Sequence, residues 1–211
     1  MGLGTSQKAE QPARAWQRML SGRRLDLLDP SPLDIEIEDI AHGLARVARW
    51  NGQTVGEHAF SVAQHSLLVA RIGEKLFSNS KSYWHMALLL HDAPEYVVGD
   101  MISPFKAVIG GDYKTVENRL QQAIHLRFSL PPELGRAELR AIKSCDRMAA
   151  FFEATRLAGF SDAEAARFFS RPRGVTGQDV SDLLKPLPAH QAQGAFLDAF
   201  ERSANRLAVK P

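Results

Sequence analysis

The sequence predicts an all-α fold, and three observations carry that expectation. Apolar residues recur at steps of three and four along most of the 211 residues, the spacing that lines one face of a helix. The breakers Asn51-Gly52, Pro94, Pro131-Pro132 and Gly159 fall at the ends of those periodic runs, where they can stop a helix. Strand-like alternation is confined to Ile35-Glu36-Ile37, enough for extended chain or a very short strand pair within residues 23–37.

Residues 1–22 read as a flexible tail and residues 23–211 as one domain, a length that a single core accommodates. Met1-Gly2 with Ser6 matches a loose myristoylation pattern, against which a plain tail is the expectation. Asp39 is a plausible N-cap for a first helix through Ile40, Leu44 and Val47 to Arg49-Trp50. A second carries Val62, His65, Val69, Ile72 and Leu76 on one stripe. In residues 83–92 a third face gathers Trp84, Ala87, Leu88 and His91, and Pro94 disfavours helix at Ala93, so His91 and Asp92 fall at a helix end or kink. Residues 99–111 are rich in turns. Helical pattern resumes over 113–128 through Val116, Leu120, Ala123 and Ile124, then over 132–157 with Leu139, Ile142, Asp146 and Ala149 on one face. Shorter segments at 162–169 and 178–184 and a last one at 189–208 bring the expected count to seven or eight helices, with no internal repeat.

Composition narrows the function classes. With 45% hydrophobic residues and a formal charge of +2, neither global disorder nor a basic nucleic-acid surface is expected. Residues 1–12 lack the apolar run of a signal peptide and no later stretch reaches transmembrane length, so no membrane partner is expected. The single cysteine, Cys145, excludes an intramolecular disulfide and suits a reducing compartment, hence the cytoplasm. It reads as a buried inert thiol, since no activating base is evident.

Asp146 is the first residue to demand an explanation, because a carboxylate on an apolar stripe costs several kcal/mol unless it is paired or binds a metal. His65 and His91 are likewise polar residues on inward faces. Taken singly, each reads equally as a hydrogen-bonded core residue. Together they offer a mixed N/O set suited to Mn, Fe, Co, Ni or Zn and less typically to Mg.

The order of these residues adds to that. His65 in Gln64-His65-Ser66-Leu67, the pair in Leu90-His91-Asp92-Ala93, and Asp146 in Ser144-Cys145-Asp146 resemble the His, His-Asp, Asp pattern of the HD-domain superfamily of metal-dependent phosphohydrolases. Within it the likeness is greatest to bacterial nucleotidases acting on deoxyribonucleoside 5′-monophosphates. Their run His-Asp-x-x-Glu-x-x-x-Gly-Asp is matched from His91 to Asp100, their Arg-Trp pair by Arg49-Trp50, and a Pro-x-Lys word by Pro104-Phe105-Lys106. The likeness covers about residues 40–155. It implies a helical HD-domain bundle, one divalent ion on His65, His91, Asp92 and Asp146, a small phosphorylated substrate and a homodimer. The Trp50 to His65 spacing differs slightly from the family's, and the residues before Asp39 have no obvious counterpart.

His58, seven residues before His65, is a rival first ligand if the helix begins early, whereas His42, His85, His125 and His190 read as surface or packing residues. A bound divalent ion lowers the pKa of water from about 15.7 toward about 7 and polarises a phosphoryl oxygen, which makes water the expected nucleophile. Glu95 and Asp100 are the candidate catalytic acids and bases. Arg49 and Lys106 are candidate phosphate anchors, and Trp50 a stacking surface for base or sugar. Three alternatives stand beside this: hydrolysis of a phosphodiester or pyrophosphate of a signalling nucleotide, a non-catalytic metal-binding domain of the same fold, and nucleic-acid binding through Arg23-Arg24.

Overall fold

A computed structural model describes residues 15–77, 81–101 and 111–209. It is all-α apart from one small antiparallel hairpin, β1 (Trp16–Arg18) and β2 (Arg24–Asp26), in which Gln17 pairs with Leu25. The expected tail therefore overlaps an ordered element: residues 15–22 belong to this hairpin, which the fully buried Leu25 pins to the core. Ile35-Glu36-Ile37 forms no strand, and α1 (Ile37–Leu44) begins there.

Asp39 does not cap α1. It lies inside the first turn and accepts from the Ser21 backbone N–H at 3.0 Å and the Ser21 hydroxyl at 2.5 Å, tying hairpin to helix. The first helix is also shorter than its periodicity suggested. It stops at Leu44, and the chain then pairs with the approach to the next helix, the Arg49 N–H donating to the Phe60 carbonyl at 2.8 Å and the Val62 N–H to the Val47 carbonyl at 3.0 Å. Between these contacts a tight turn, Arg49–Gly52, carries left-handed backbone at Trp50 (φ 56) and Asn51 (φ 50), a conformation that a Cβ disfavours.

The central helix is α2 (Val62–Leu76), whose first turn is capped by the Ser61 hydroxyl accepting from the Gln64 N–H. Around it pack α3 (Trp84–Leu89), α6 (Arg136–Arg156) and α9 (Ala189–Val209), while α1 lies on α9 and on α4 (Glu95–Val98). The other α-helices among the described residues are α5 (Gly111–Arg127), α7 (Asp162–Phe168) and α8 (Gly177–Val180). Two glycines permit close approaches that matter below. A Cβ on Gly73 of α2 would overlap the Leu88 side chain of α3, and one on Gly43 would sit 2.8 Å from Tyr96 Cβ, beside Glu95. Among the described residues, no helix is long and apolar enough to cross a membrane.

Candidate metal centre and active site

Three elements bring four side chains to one buried point. His65 stands in the first turn of α2, His91 and Asp92 in the turn that follows α3, and Asp146 midway along α6. The imidazoles of His65 and His91 lie 5.3 Å apart between centroids. His65 Nε2 is 3.4 Å from both Asp92 Oδ2 and Asp146 Oδ1, and His91 Nε2 is 3.2 Å from Asp92 Oδ2. One ligand atom from each of His65, His91 and Asp146 falls within 4.8 Å of the others. His58 precedes α2 and is not on its helical face, so the structure brings in His65 rather than its rival.

Hydrogen bonding on the far side of each ring decides what the near side can do. His91 Nδ1 lies 2.8 Å from the Leu88 carbonyl, which can only accept, so the proton sits on Nδ1 and Nε2 presents a lone pair. His65 Nδ1 lies 2.5 Å from Glu153 Oε1, and that carboxyl is ionised: burial alone would raise its pKa, but His65 and Arg49 hold it down to about 2. Both Nε2 atoms are buried without a hydrogen-bond partner among the described residues, and both face carboxylate oxygens. Such an arrangement is repulsive until a positive charge enters it. The same demand appears in His65 itself, whose pKa burial and Arg49 would lower but Glu153, Asp146 and Asp92 raise well above the ordinary value. Two imidazole nitrogens and two carboxylates fit a divalent first-row ion. Lys143 Nζ engages Asp146 Oδ2 at 2.7 Å and leaves Oδ1 turned inward.

The remaining expected residues are placed less uniformly. Arg49 is not a free cation: Nη1 donates to Asp100 Oδ2 at 3.0 Å and Nε to Glu153 Oε2 at 3.4 Å, with its side chain 14% exposed. Arg49 and Asp100, expected in separate roles, thus meet as an ion pair. Trp50 is turned inward, its Nε1 donating to Glu153 Oε2 at 2.9 Å and its ring packed against Phe160 and Phe169 at 5.7 and 5.6 Å between centroids. That commits the indole to the protein rather than offering it as an open stacking face. Glu95 is buried at the start of α4, one turn past His91. Lys106 lies outside the described residues. Burial pushes the Cys145 thiol up to about 12, with Asp146 adding to the effect, as suits an inert thiol. His125 packs against the Pro131 carbonyl at 2.9 Å.

Two residues escaped the sequence reading. Glu153 is one; the other is Tyr113, whose hydroxyl is pushed above the phenol range by burial and then by the charges of Glu117, Glu95, Asp100 and Asp92. Beside His91, Asp92 and Asp146 opens a cleft of about 230 Å³ whose far wall includes Leu134, Leu139 and Ile142.

Comparison with known proteins bears on this geometry. The family model described as 5′-deoxynucleotidase YfbR-like matches residues 41–163, a stretch that contains every site residue from Arg49 to Glu153. An uncharacterised protein of Rhodobacter capsulatus is 57% identical over 179 residues, 85% of this chain and 91% of its own length. The uncharacterised protein YfdR of Escherichia coli is 28% identical over 167 residues, 79% of this chain and 83% of its own.

Proposed function

The chain belongs to the YfbR-like 5′-deoxynucleotidase family of HD-type hydrolases, and from that premise we propose that it releases phosphate from a small phosphomonoester, a nucleoside 5′-monophosphate, with the help of one divalent ion. The observation that carries this is the pair of buried Nε2 atoms of His65 and His91, without a hydrogen-bond partner among the described residues and facing two carboxylates, with His91, Asp92 and Asp146 lining a cleft. His65, His91, Asp92 and Asp146 would hold the ion. When bound, it supplies a nucleophile from water at neutral pH and polarises a phosphoryl oxygen.

The chain's own residues divide the rest of the work. Glu95, buried one turn beyond His91, orients and deprotonates the attacking water. Asp100 keeps the Arg49 guanidinium fixed, and the N–H groups of Arg49 not used by Asp100 and Glu153 bind phosphate oxygens as charge develops. Lys106 supplies a second cation. The proton that Glu95 takes from water is the one delivered to the leaving alkoxide, while Asp100, paired with Arg49, helps position the water. The wall of Leu134, Leu139 and Ile142 takes the sugar or base by apolar contact. A cytoplasmic homodimer completes the proposal.

The test is a phosphate-release screen. Metal-stripped protein is given Mn, Co, Fe, Ni, Zn or Mg in turn and offered ribo- and deoxyribonucleoside monophosphates beside cyclic and pyrophosphate-linked nucleotides. Release from at least one deoxynucleoside monophosphate, abolished by chelation, is expected. Turnover of the cyclic or pyrophosphate substrates with every monophosphate left intact would overturn the reading.

A further inference from the structure

Glu153 lies seven residues after Asp146 on α6, two turns along the same face. Its side chain is fully buried and both of its oxygens are engaged. Oε1 faces His65 Nδ1 at 2.5 Å, and Oε2 accepts from Trp50 Nε1 at 2.9 Å and Arg49 Nε at 3.4 Å. It belongs to none of the motifs that carry the family likeness.

We propose that Glu153 is a positioning residue that joins the first metal ligand and the phosphate-binding turn into one unit, one oxygen holding His65 and the other holding Arg49 and Trp50. The proposal rests on the reading of His65 as a metal ligand. With Oε2 accepting from Trp50 and Arg49 and Oε1 within hydrogen-bond reach of the ring, Glu153 keeps the His65 proton on Nδ1 and turns the Nε2 lone pair toward Asp92 and Asp146. Its other oxygen answers a different problem. Trp50 sits in left-handed backbone, which a bulky side chain disfavours, and the indole bond to Glu153 holds it there. Arg49 is thereby presented at a fixed distance from the ion's ligands.

No common substitute performs both tasks. A glutamine that offers its carbonyl to His65 turns its NH₂ toward the donors of Trp50 and Arg49. Flipped, it satisfies that pair but donates to His65 Nδ1 and forces the proton onto Nε2, where the ion should bind. Aspartate, one methylene shorter, can reach one side only.

The experiment titrates Zn²⁺ and Co²⁺ into stripped wild type, Glu153→Gln and His65→Ala, and records the imidazole ¹⁵N signals of the Zn²⁺-loaded wild type. Glu153→Gln is expected to weaken metal binding by about 10–100-fold, to change the Co²⁺ absorption spectrum, and to raise KM through Arg49. In the loaded wild type, His65 should carry its proton on Nδ1. Metal affinity in Glu153→Gln within about threefold of wild type, while His65→Ala loses the ion, overturns the role of Glu153 alone. Retention of the ion by His65→Ala overturns the ligand reading and the proposal with it. Should Glu153→Gln fail to fold, the wild-type ring decides: a proton on Nε2 overturns the proposal, and one on Nδ1 supports it.

Discussion

Two glutamates in this molecule each gather several donors, one at the surface and one in the core. Glu36 binds Arg23 through both Nη2 and Nε, at 2.8 and 3.0 Å, and Arg127 at 3.1 Å. Glu153 binds Arg49 at 3.4 Å, Trp50 at 2.9 Å and His65 at 2.5 Å. By distance to arginine the surface cluster is the better made. Its side chains, however, are 22%, 48% and 37% exposed for Glu36, Arg23 and Arg127, whereas Glu153 is wholly buried. Water competes for Glu36 and screens it, so its ion pairs add little. No water replaces Glu153, so its removal leaves the buried His65 without its Nδ1 partner and Arg49 with Asp100 alone. Solvent access, more than separation, decides what an ion pair contributes here.

The largest expected effect tests that contrast directly. Glu153→Ala should lower the unfolding free energy of the metal-free protein by about 3–5 kcal/mol in denaturant titration, the usual result of breaking a buried pair from one side. A loss below about 1 kcal/mol would place Glu153 with the surface cluster and end the distinction.

Glu95 sharpens it from another direction, being buried without belonging to the Arg49 cluster. Glu95→Gln should retain metal and fold, checked by metal analysis and circular dichroism, while kcat falls by about 10²–10⁴-fold. Activity within about threefold of wild type would remove Glu95 from the chemistry. Arg49→Ala comes next. Loss of a charge-assisted bond to phosphate should lower kcat/KM by the equivalent of about 1.5–3 kcal/mol, and an unchanged kcat/KM would show that Asp100 and Glu153 keep Arg49 for structure alone.

The smallest effect belongs to Glu36→Ala, about 0–1 kcal/mol, shrinking further in high salt. Its pH dependence has a definite sign. Arg23 first and then Arg127 hold the Glu36 carboxyl below its ordinary 4.5. The contribution is therefore complete above that value and fades as pH falls through the lower folded-state pKa. A Glu36 variant that diverges from wild type only above neutral pH would contradict this account.

The helices were legible because their periodicity is local, and the four residues proposed to hold the ion drew notice because each is a polar residue on an otherwise apolar face or at a helix end. What the sequence concealed is non-local. Glu153 meets its partners across 88 to 104 residues, and read alone it is an ordinary acid on a long helix. Arg49 and Asp100, 51 residues apart, looked like two independent functional groups for the same reason. Asp39 offered the chemistry of a cap, but Ser21, 18 residues earlier, claimed its carboxylate. The hairpin was only half seen: β2 falls in the segment expected to be extended or a very short strand pair, but β1, three residues long, is too short for alternation to register.

The left-handed turn at Trp50 and Asn51 also has a history in time. A ribosome delivers residues 49–52 long before residue 153, and the left-handed backbone at Trp50 is one that its bulky side chain disfavours. It must wait for α6 to dock, which makes it a late event in folding, since contacts so far apart in the chain close slowly. Arg49 is meanwhile open to trypsin. In pulse proteolysis during refolding, protection of the bond after Arg49 should arrive with the near-ultraviolet signal of tertiary packing and lag behind the far-ultraviolet signal of helix.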